Sequence, residues 1–215
     1  MIYFAGVYKG ILKGFLGEIA KKPILLTIDD LTVKSKKDIQ LKKIISGSNH
    51  TLLLTSDSVY IRGDSEYFAS GRRIMERRKE KYDPVKFQAM GIKHAVDIFT
   101  GGMHCFVKTV NNRYYGWGNN AFGQLGIGSR EHQKVAVEIE YFREMDLTKI
   151  VGGEHHTLFL TAEGEVFACG RNDNGQLGLG EDLEEDHDPI RRSRAIKKVT
   201  LVPEHNTPVP SPQPA

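Results

Sequence analysis

Cysteine is scarce in this chain. Its 215 residues contain two, Cys105 and Cys169, and neither belongs to a CxxC pair. A disulfide framework is excluded on that count. Both cysteines sit inside apolar runs and are expected as small core residues of a protein in a reducing compartment. Long apolar stretches are missing too. None reaches the ~18 residues of a membrane-spanning helix, and the opening MIYFAGVYKGILKG lacks the uninterrupted apolar segment of a signal peptide. The expected setting is intracellular, nuclear or cytoplasmic, with no membrane partner. Charge of one sign is not in excess either: 30 basic against 27 acidic residues leave +3, too little to imply nucleic-acid binding by itself.

Catalytic signatures are absent as well. The chain has no GxxxxGK[ST], no HExxH and no GxSxG. His155-His156 and His104-Cys105 are neighbours on strand-like segments, so their side chains point to opposite faces and do not converge on a metal. The expectation is therefore a protein that is not an enzyme in the hydrolytic or redox sense, with no catalytic residue, no cofactor and no metal. Convincing long helical periodicity is also lacking. The segment Ser70–Tyr82 is expected to make no more than one or two helical turns, because its charges outnumber its apolar anchors.

What the sequence does have is repetition. A small-residue turn followed by histidine occurs at GSNHT (47–51), GGMHC (101–105) and GEHHT (153–157), which aligns His50, His104 and His155 at separations of 54 and 51 residues. TLVPEHNT, with His205, reads as a degraded fourth copy. GNNAFGQLG (118–126) and GRNDNGQLG (170–178) repeat a second motif, and GDSEYFASG (63–71) and GVYKGILKG (6–14) keep its glycine frame. Between the two motifs lie paired apolar runs separated by turn residues: HTLLLT and SVYIRG around Ser56-Asp57, HCFVKT and RYYGWG around Asn111-Asn112, HTLFLT and EVFACG around Gly164. Apolar residues fall on both faces of these strands, so each small sheet is expected to be sandwiched between neighbours. The connectors KPILLTI, DPVKF, QKVAVEI and DPIRR are expected to open the repeats that follow them, with Pro23, Pro84 and Pro189 at loop exits or edges.

A period near fifty with stacked small sheets implies an all-β fold, a partial or open β-propeller of about four blades or fewer. The expected organisation is one repeat domain over 1–207. It comprises a half repeat at 1–14, repeats at about 24–71, 84–128 and 134–180, and a degraded start of a further repeat at 189–207. A Pro-rich tail follows at 208–215. An open array leaves apolar faces and sheet edges bare, and these invite association.

The Gly-Gly-x-His turn, the hairpin with a glycine tip and the Gly-x-Asn-x-x-Gly-Gln-Leu-Gly loop resemble the regulator of chromosome condensation family, most clearly over 98–128 and 150–180. The resemblance implies a seven-bladed propeller, of which this chain carries about three to four repeats. It also implies a protein-binding module that acts as, or derives from, a guanine-nucleotide exchange factor for a Ran-type small GTPase, with chromatin or DNA as a further partner. The alternative it implies is a non-catalytic adaptor or scaffold fragment of a larger repeat protein such as a HECT-type ubiquitin ligase.

Residues present in every copy serve the fold, and residues that differ are candidates for function. The repeated histidines and glycines are expected to build turns, and Gln124 and Gln176 to bond across to the next blade's backbone. Trp117 is expected in the core. By the resemblance, His155, His156 and Asp173 are the candidates for contact with a GTPase, with Asn112 and Asn119 secondary. The basic run Arg72, Arg73, Arg77, Arg78, Lys79 and Lys81 is the candidate for nucleic-acid phosphate. The acidic run 180–188 is a candidate for a basic protein partner, and the basic run 191–198 beside it offers local neutralisation.

Overall fold

The computed structural model describes residues 2–7, 19–26, 39–63, 87–179 and 197–199. Among them, a single 3-10 turn, Glu140–Phe142, interrupts an otherwise all-β architecture. Strands β1 (Ile2–Val7) and β2 (Ile19–Leu26) pair as a two-stranded antiparallel sheet. Three four-stranded sheets follow, each a meander in chain order. The first holds β3 (Leu41–Ser46), β4 (His50–Thr55), β5 (Val59–Gly63) and β6 (Gln88–Ala89). The second holds β7 (Ala95–Thr100), β8 (His104–Thr109), β9 (Tyr114–Gly118) and β10 (Gln133–Glu138). The third holds β11 (Leu147–Gly152), β12 (His156–Thr161), β13 (Val166–Gly170) and β14 (Lys197–Val199).

The hairpins form where the turn chemistry is written. Gly164 takes φ +82° and Asn112 φ +57°, both in the left-handed region that closes a tight turn. At the tips, the hydroxyls of Thr55 and Thr109 donate to the side chains of Asp57 and Asn111. The third strand of each sheet ends on a glycine, Gly63, Gly118 or Gly170, at φ +136°, +107° and +110°. There a Cβ would lie 2.1 to 2.6 Å from the carbonyl oxygen of Asn49, Met103 or His155, so the backbones touch where no side chain fits.

The blades stack face to face. Leu52, Leu54 and Ile61 of the first sheet enclose a core with Ile98, Cys105, Val107 and Trp117 of the second. Phe106 and Tyr114 of the second sheet, with Phe142 from the 3-10 turn, pack on Phe159, Phe167 and Cys169 of the third. Each such aromatic or aliphatic side chain contributes about 1.5–3 kcal/mol when fully buried. The two-sided apolarity of the strands is realised here: all six residues of β4 are buried, and five of six in β8.

Two expectations need correction. The connector strands do not open the next sheet but close the preceding one. Gln133–Glu138, expected to begin the repeat at 134–180, pairs with β9. Lys197–Val199, expected within a further repeat at 189–207, pairs with β13. A periodic pattern has no phase of its own, and hydrogen bonding assigns each connector to the sheet it can reach first. Pro23 lies in β2, where the ladder is irregular opposite Phe4–Gly6, as a residue without an N–H requires. The second correction concerns the loop glutamines. Gln124 Oε1 and Gln176 Oε1 accept from Phe122 N–H (3.0 Å) and Asn174 N–H (2.9 Å) within their own loops. It is the Gln124 backbone carbonyl that meets the next blade, accepting from Thr157 Oγ1 (2.7 Å).

Candidate protein-binding rim

The repeat histidine begins the second strand of each sheet. Position by position these are His50, His104 and His156, paired across from Gly63, Gly118 and Gly170. The alignment that put His155 in this series is shifted by one residue: His156 stacks on Gly153 as His104 does on Gly101 and His50 on Gly47. A Cβ on each of those glycines would sit 2.1 to 2.3 Å from the ring's Cε1.

His50 and His104 clamp one blade to the next. His104 Nε2 lies 2.8 Å from Thr157 Oγ1. Because that hydroxyl spends its proton on the Gln124 carbonyl, Nε2 must carry the ring proton and donate. His50 Nε2 lies 2.7 Å from Thr100 Oγ1 and 3.0 Å from Cys105 Sγ. Backbone bonds run alongside, from Ser48 N–H to Gly102 C=O and from Gly102 N–H to Gly153 C=O, both 2.8 Å. The Nδ1 atoms of His50 and His104 are buried without a partner among the described residues. A second proton there would meet no acceptor among them. Burial accordingly pushes the pKa down to about 4 for His50 and about 3 for His104, with the neighbouring histidines adding to the effect at His104.

The loops after the third strands share a frame. Asn120 Oδ1 and Asn172 Oδ1 accept from the N–H of Leu125 and Leu177, both at 2.9 Å. Asn120 also donates to the carbonyls of Ser129 and Glu131. The leucines anchor the loops inward, with Leu125 and Leu177 at most 1% exposed. Asn119 is absorbed in the frame, since its Oδ1 accepts from Ala121 N–H and from Gln124 Nε2. Asn112 is likewise occupied, accepting from Tyr114 and donating to Met145 C=O.

On this frame the non-repeated positions meet at one rim. The His155 ring lies against Phe122 of the preceding blade, centroids 5.0 Å apart. The Arg171 guanidinium covers the same phenyl ring at 5.4 Å. Arg171 is gripped by the Asp173 carboxylate, which accepts from Nε at 2.8 Å and also from Nη2. That guanidinium holds the Asp173 carboxyl below the usual carboxylate range. Arg171 N–H donates to His155 C=O (2.9 Å), tying the loop to the turn, and the exposed Glu154 stands 3.8 Å from His155 Nε2. The rim thus presents a cation, two carboxylates and an aromatic edge, fixed across two blades.

His155 and Asp173 come together in this cluster. His156 does not: it turns to the far face of its own sheet and is half-buried. Phe122, Arg171 and Glu154 were not singled out from sequence, although the signal was there. They stand where the other copies have Asn174, Asn119 and Gly102, while the framing Asn, Gln and Leu stay constant. Arg72, Arg73, Arg77, Arg78, Lys79 and Lys81, the expected turns at 70–82 and the acidic run 180–188 lie outside the described residues. Among the described residues no three His, Cys, Asp or Glu side chains converge on a metal position, and no helix is long and apolar enough to cross a membrane. Cys105 and Cys169 are buried free thiols, and Trp117 is fully buried.

Two family models described as Regulator of chromosome condensation (RCC1) repeat match the chain, one at residues 111–160 and 163–211 and one at 147–176. The chain is 35% identical over 147 residues to Probable E3 ubiquitin-protein ligase HERC4 of Rattus norvegicus, a match covering 68% of this chain and 14% of that protein. It is 32% identical over 146 residues to Guanine nucleotide exchange factor SRM1 of Saccharomyces cerevisiae, covering 65% of this chain and 30% of that one. Among solved structures it superposes on Prp20p from Saccharomyces cerevisiae, which was described with its binding to Gsp1p and histones. The TM-score there is 0.70 at 26% identity, over 86% of this chain and 43% of Prp20p. The chain therefore spans less than half the length of each of these relatives.

Proposed function

The chain belongs to the regulator of chromosome condensation repeat family, and from that premise we propose that it is a protein-binding propeller module whose rim at Phe122, Glu154, His155, Arg171 and Asp173 engages a Ran-type small GTPase and promotes guanine-nucleotide exchange. The observation that carries this reading is the rim itself. Its polar groups occupy the positions that vary between copies, on loops whose invariant residues are consumed in holding shape. Prearranged groups on rigid elements lose little freedom on binding. Relatives named as an exchange factor and as a binder of Gsp1p support the choice of partner.

Exchange needs no bond-making by the module. A partner that binds the nucleotide-free GTPase more tightly than the loaded form weakens nucleotide binding by the same factor. In this reading Asp173, pre-oriented by Arg171, and His155, braced on Phe122, supply the contacts, and His156 supports them by setting the turn. Nucleic-acid contact through Arg72, Arg73, Arg77, Arg78 and Lys79 belongs to the same proposal as a second interaction, independent of the exchange role. The measurement is release of a fluorescent GDP analogue from a Ran-type GTPase. Acceleration by the chain, reduced at least tenfold by Asp173→Ala or His155→Ala, is expected. No acceleration at micromolar chain would overturn the exchange role. The relative named as an E3 ubiquitin-protein ligase favours the second reading, an adaptor that binds protein at this rim without driving exchange. GTPase binding without release would select it.

A further inference from the structure

The loop that follows β13 holds a covalent weak point. Asn174-Gly175 is the sole Asn-Gly step in the sequence, and each of the other asparagines precedes a residue with a side chain. The difference is chemical. The carboxamide carbon of an asparagine is open to attack by the backbone nitrogen of the next residue. A side chain on that residue obstructs the approach, and glycine leaves it free. A Cβ built at Gly175 meets no atom within 4 Å, so the space beside it is open.

The surrounding contacts hold the backbone and leave the side-chain amide loose. Asn174 and Gly175 are exposed. Asn174 N–H donates to Gln176 Oε1 at 2.9 Å. Its Nδ2 makes one long contact, 3.3 Å to Asp173 Oδ1, and its Oδ1 accepts no hydrogen bond among the described residues. Gly175 N–H donates to Asn172 C=O at 3.2 Å, longer than the 3.0 Å from Gly123 to Asn120 in the preceding loop. Exposed turns held in this way open locally at little cost in free energy. Neighbouring asparagines are engaged. Asn119, Asn120 and Asn172 each accept from a backbone N–H, and the first two are buried. The exposed Asn111 accepts from Thr109 and precedes Asn112, not a glycine. Position 174 also differs between copies, since the preceding loop has Phe122 there.

We propose that Asn174-Gly175 is a site of spontaneous deamidation through a cyclic imide, with water as the co-reactant. Gly175 N gives up its proton to base and bonds to Asn174 Cγ. The Cγ–Nδ2 bond breaks, and Nδ2 leaves as ammonia with a proton from water. Water then opens the imide at either carbonyl, giving aspartate or isoaspartate. In sum, amide and water become carboxylate and ammonium. Either product places a second carboxylate beside Asp173 and makes the rim more negative by one charge. Isoaspartate also adds one carbon to the main chain, inside the turn that Asn172 and Gln176 brace. The chemistry proceeds in the isolated chain, whichever protein the rim binds.

The test is peptide mass spectrometry of the full chain after incubation in neutral and mildly alkaline buffer, folded and in urea, with isoaspartate told from aspartate by its fragment ions. In the folded chain, conversion at Asn174 is expected to run at least tenfold faster than at any other asparagine. It is expected to quicken at the higher pH, because the attacking nitrogen must lose its proton, and to yield isoaspartate among the products. Gly175→Ala is expected to slow conversion at least tenfold, measured in urea as well so that the result does not depend on folding. Conversion in urea but not in the folded chain would show that the turn locks the amide and would overturn the proposal. So would no conversion in either state, aspartate as the sole product (the mark of direct hydrolysis), a faster asparagine elsewhere, or a rate indifferent to Gly175→Ala.

Discussion

Acid should open the contacts between blades before it reaches most of the surface. His50 and His104 are neutral donors in the fold, held near pKa values of about 4 and about 3 mainly by burial, against 6.5 for the exposed ring. The folded-state pKa is the lower one, so the stabilising contribution is complete above pH 6.5. It falls away as the pH drops from there toward the folded value, because the unfolded chain takes up the protons first. At pH 5 each histidine has lost about 2 kcal/mol, which is 1.36 kcal/mol for each of the ~1.5 pH units below the unfolded-state value. The pair together loses about 4 kcal/mol, a large part of the ~5–15 kcal/mol that holds an ordinary domain together. This loss at pH 5 hardly depends on whether the folded pKa is 3 or 4. The assay is urea unfolding between pH 7.5 and 5, monitored by the fluorescence of Trp117, which packs in the core between the first two blades. With His50→Gln and His104→Gln, singly and together, the neutral amide keeps a donor but cannot titrate. Each variant should lose its ~2 kcal/mol share of the pH dependence. An undiminished slope in the double variant would refute the reasoning, since the acid sensitivity would then arise elsewhere.

Two further predictions concern the frame of the repeats. Gly101→Ala places a Cβ 2.1 Å from the His104 ring and 2.6 Å from the Gly153 carbonyl, so it should cost at least ~3 kcal/mol. Gly164→Ala meets open space and bears the left-handed φ alone, at about 1 kcal/mol. Thermal unfolding of the two variants side by side checks the difference. Asn120→Ala deprives Leu125 N–H and the carbonyls of Ser129 and Glu131 of their buried partner, and about 3 kcal/mol is expected in the same assay. Hydrogen exchange at Leu125 should rise with it.

The sequence by itself determined the building unit. Local chemistry was enough: Gly164 and Asn112 for the tight turns, Gly-x-x-His for the entry to the second strand, Asn120 and Asn172 with their Gln-Leu-Gly for the loops. Each acts on atoms within a few residues, and each recurs. The choice of His156 over His155 was legible in the sequence too, since His156 is the fourth residue of GEHHT as His50 and His104 are of GSNHT and GGMHC, and its pairing with Gly170 agrees. Tertiary structure alone decided two things. It set the phase of the blades, because Gln133–Glu138 and Lys197–Val199 carry no mark of which sheet they join until they hydrogen-bond to β9 and β13. It assembled the rim, because Phe122 and His155 are 33 positions apart in the chain and become neighbours through the stacking of two sheets whose buried faces lie elsewhere.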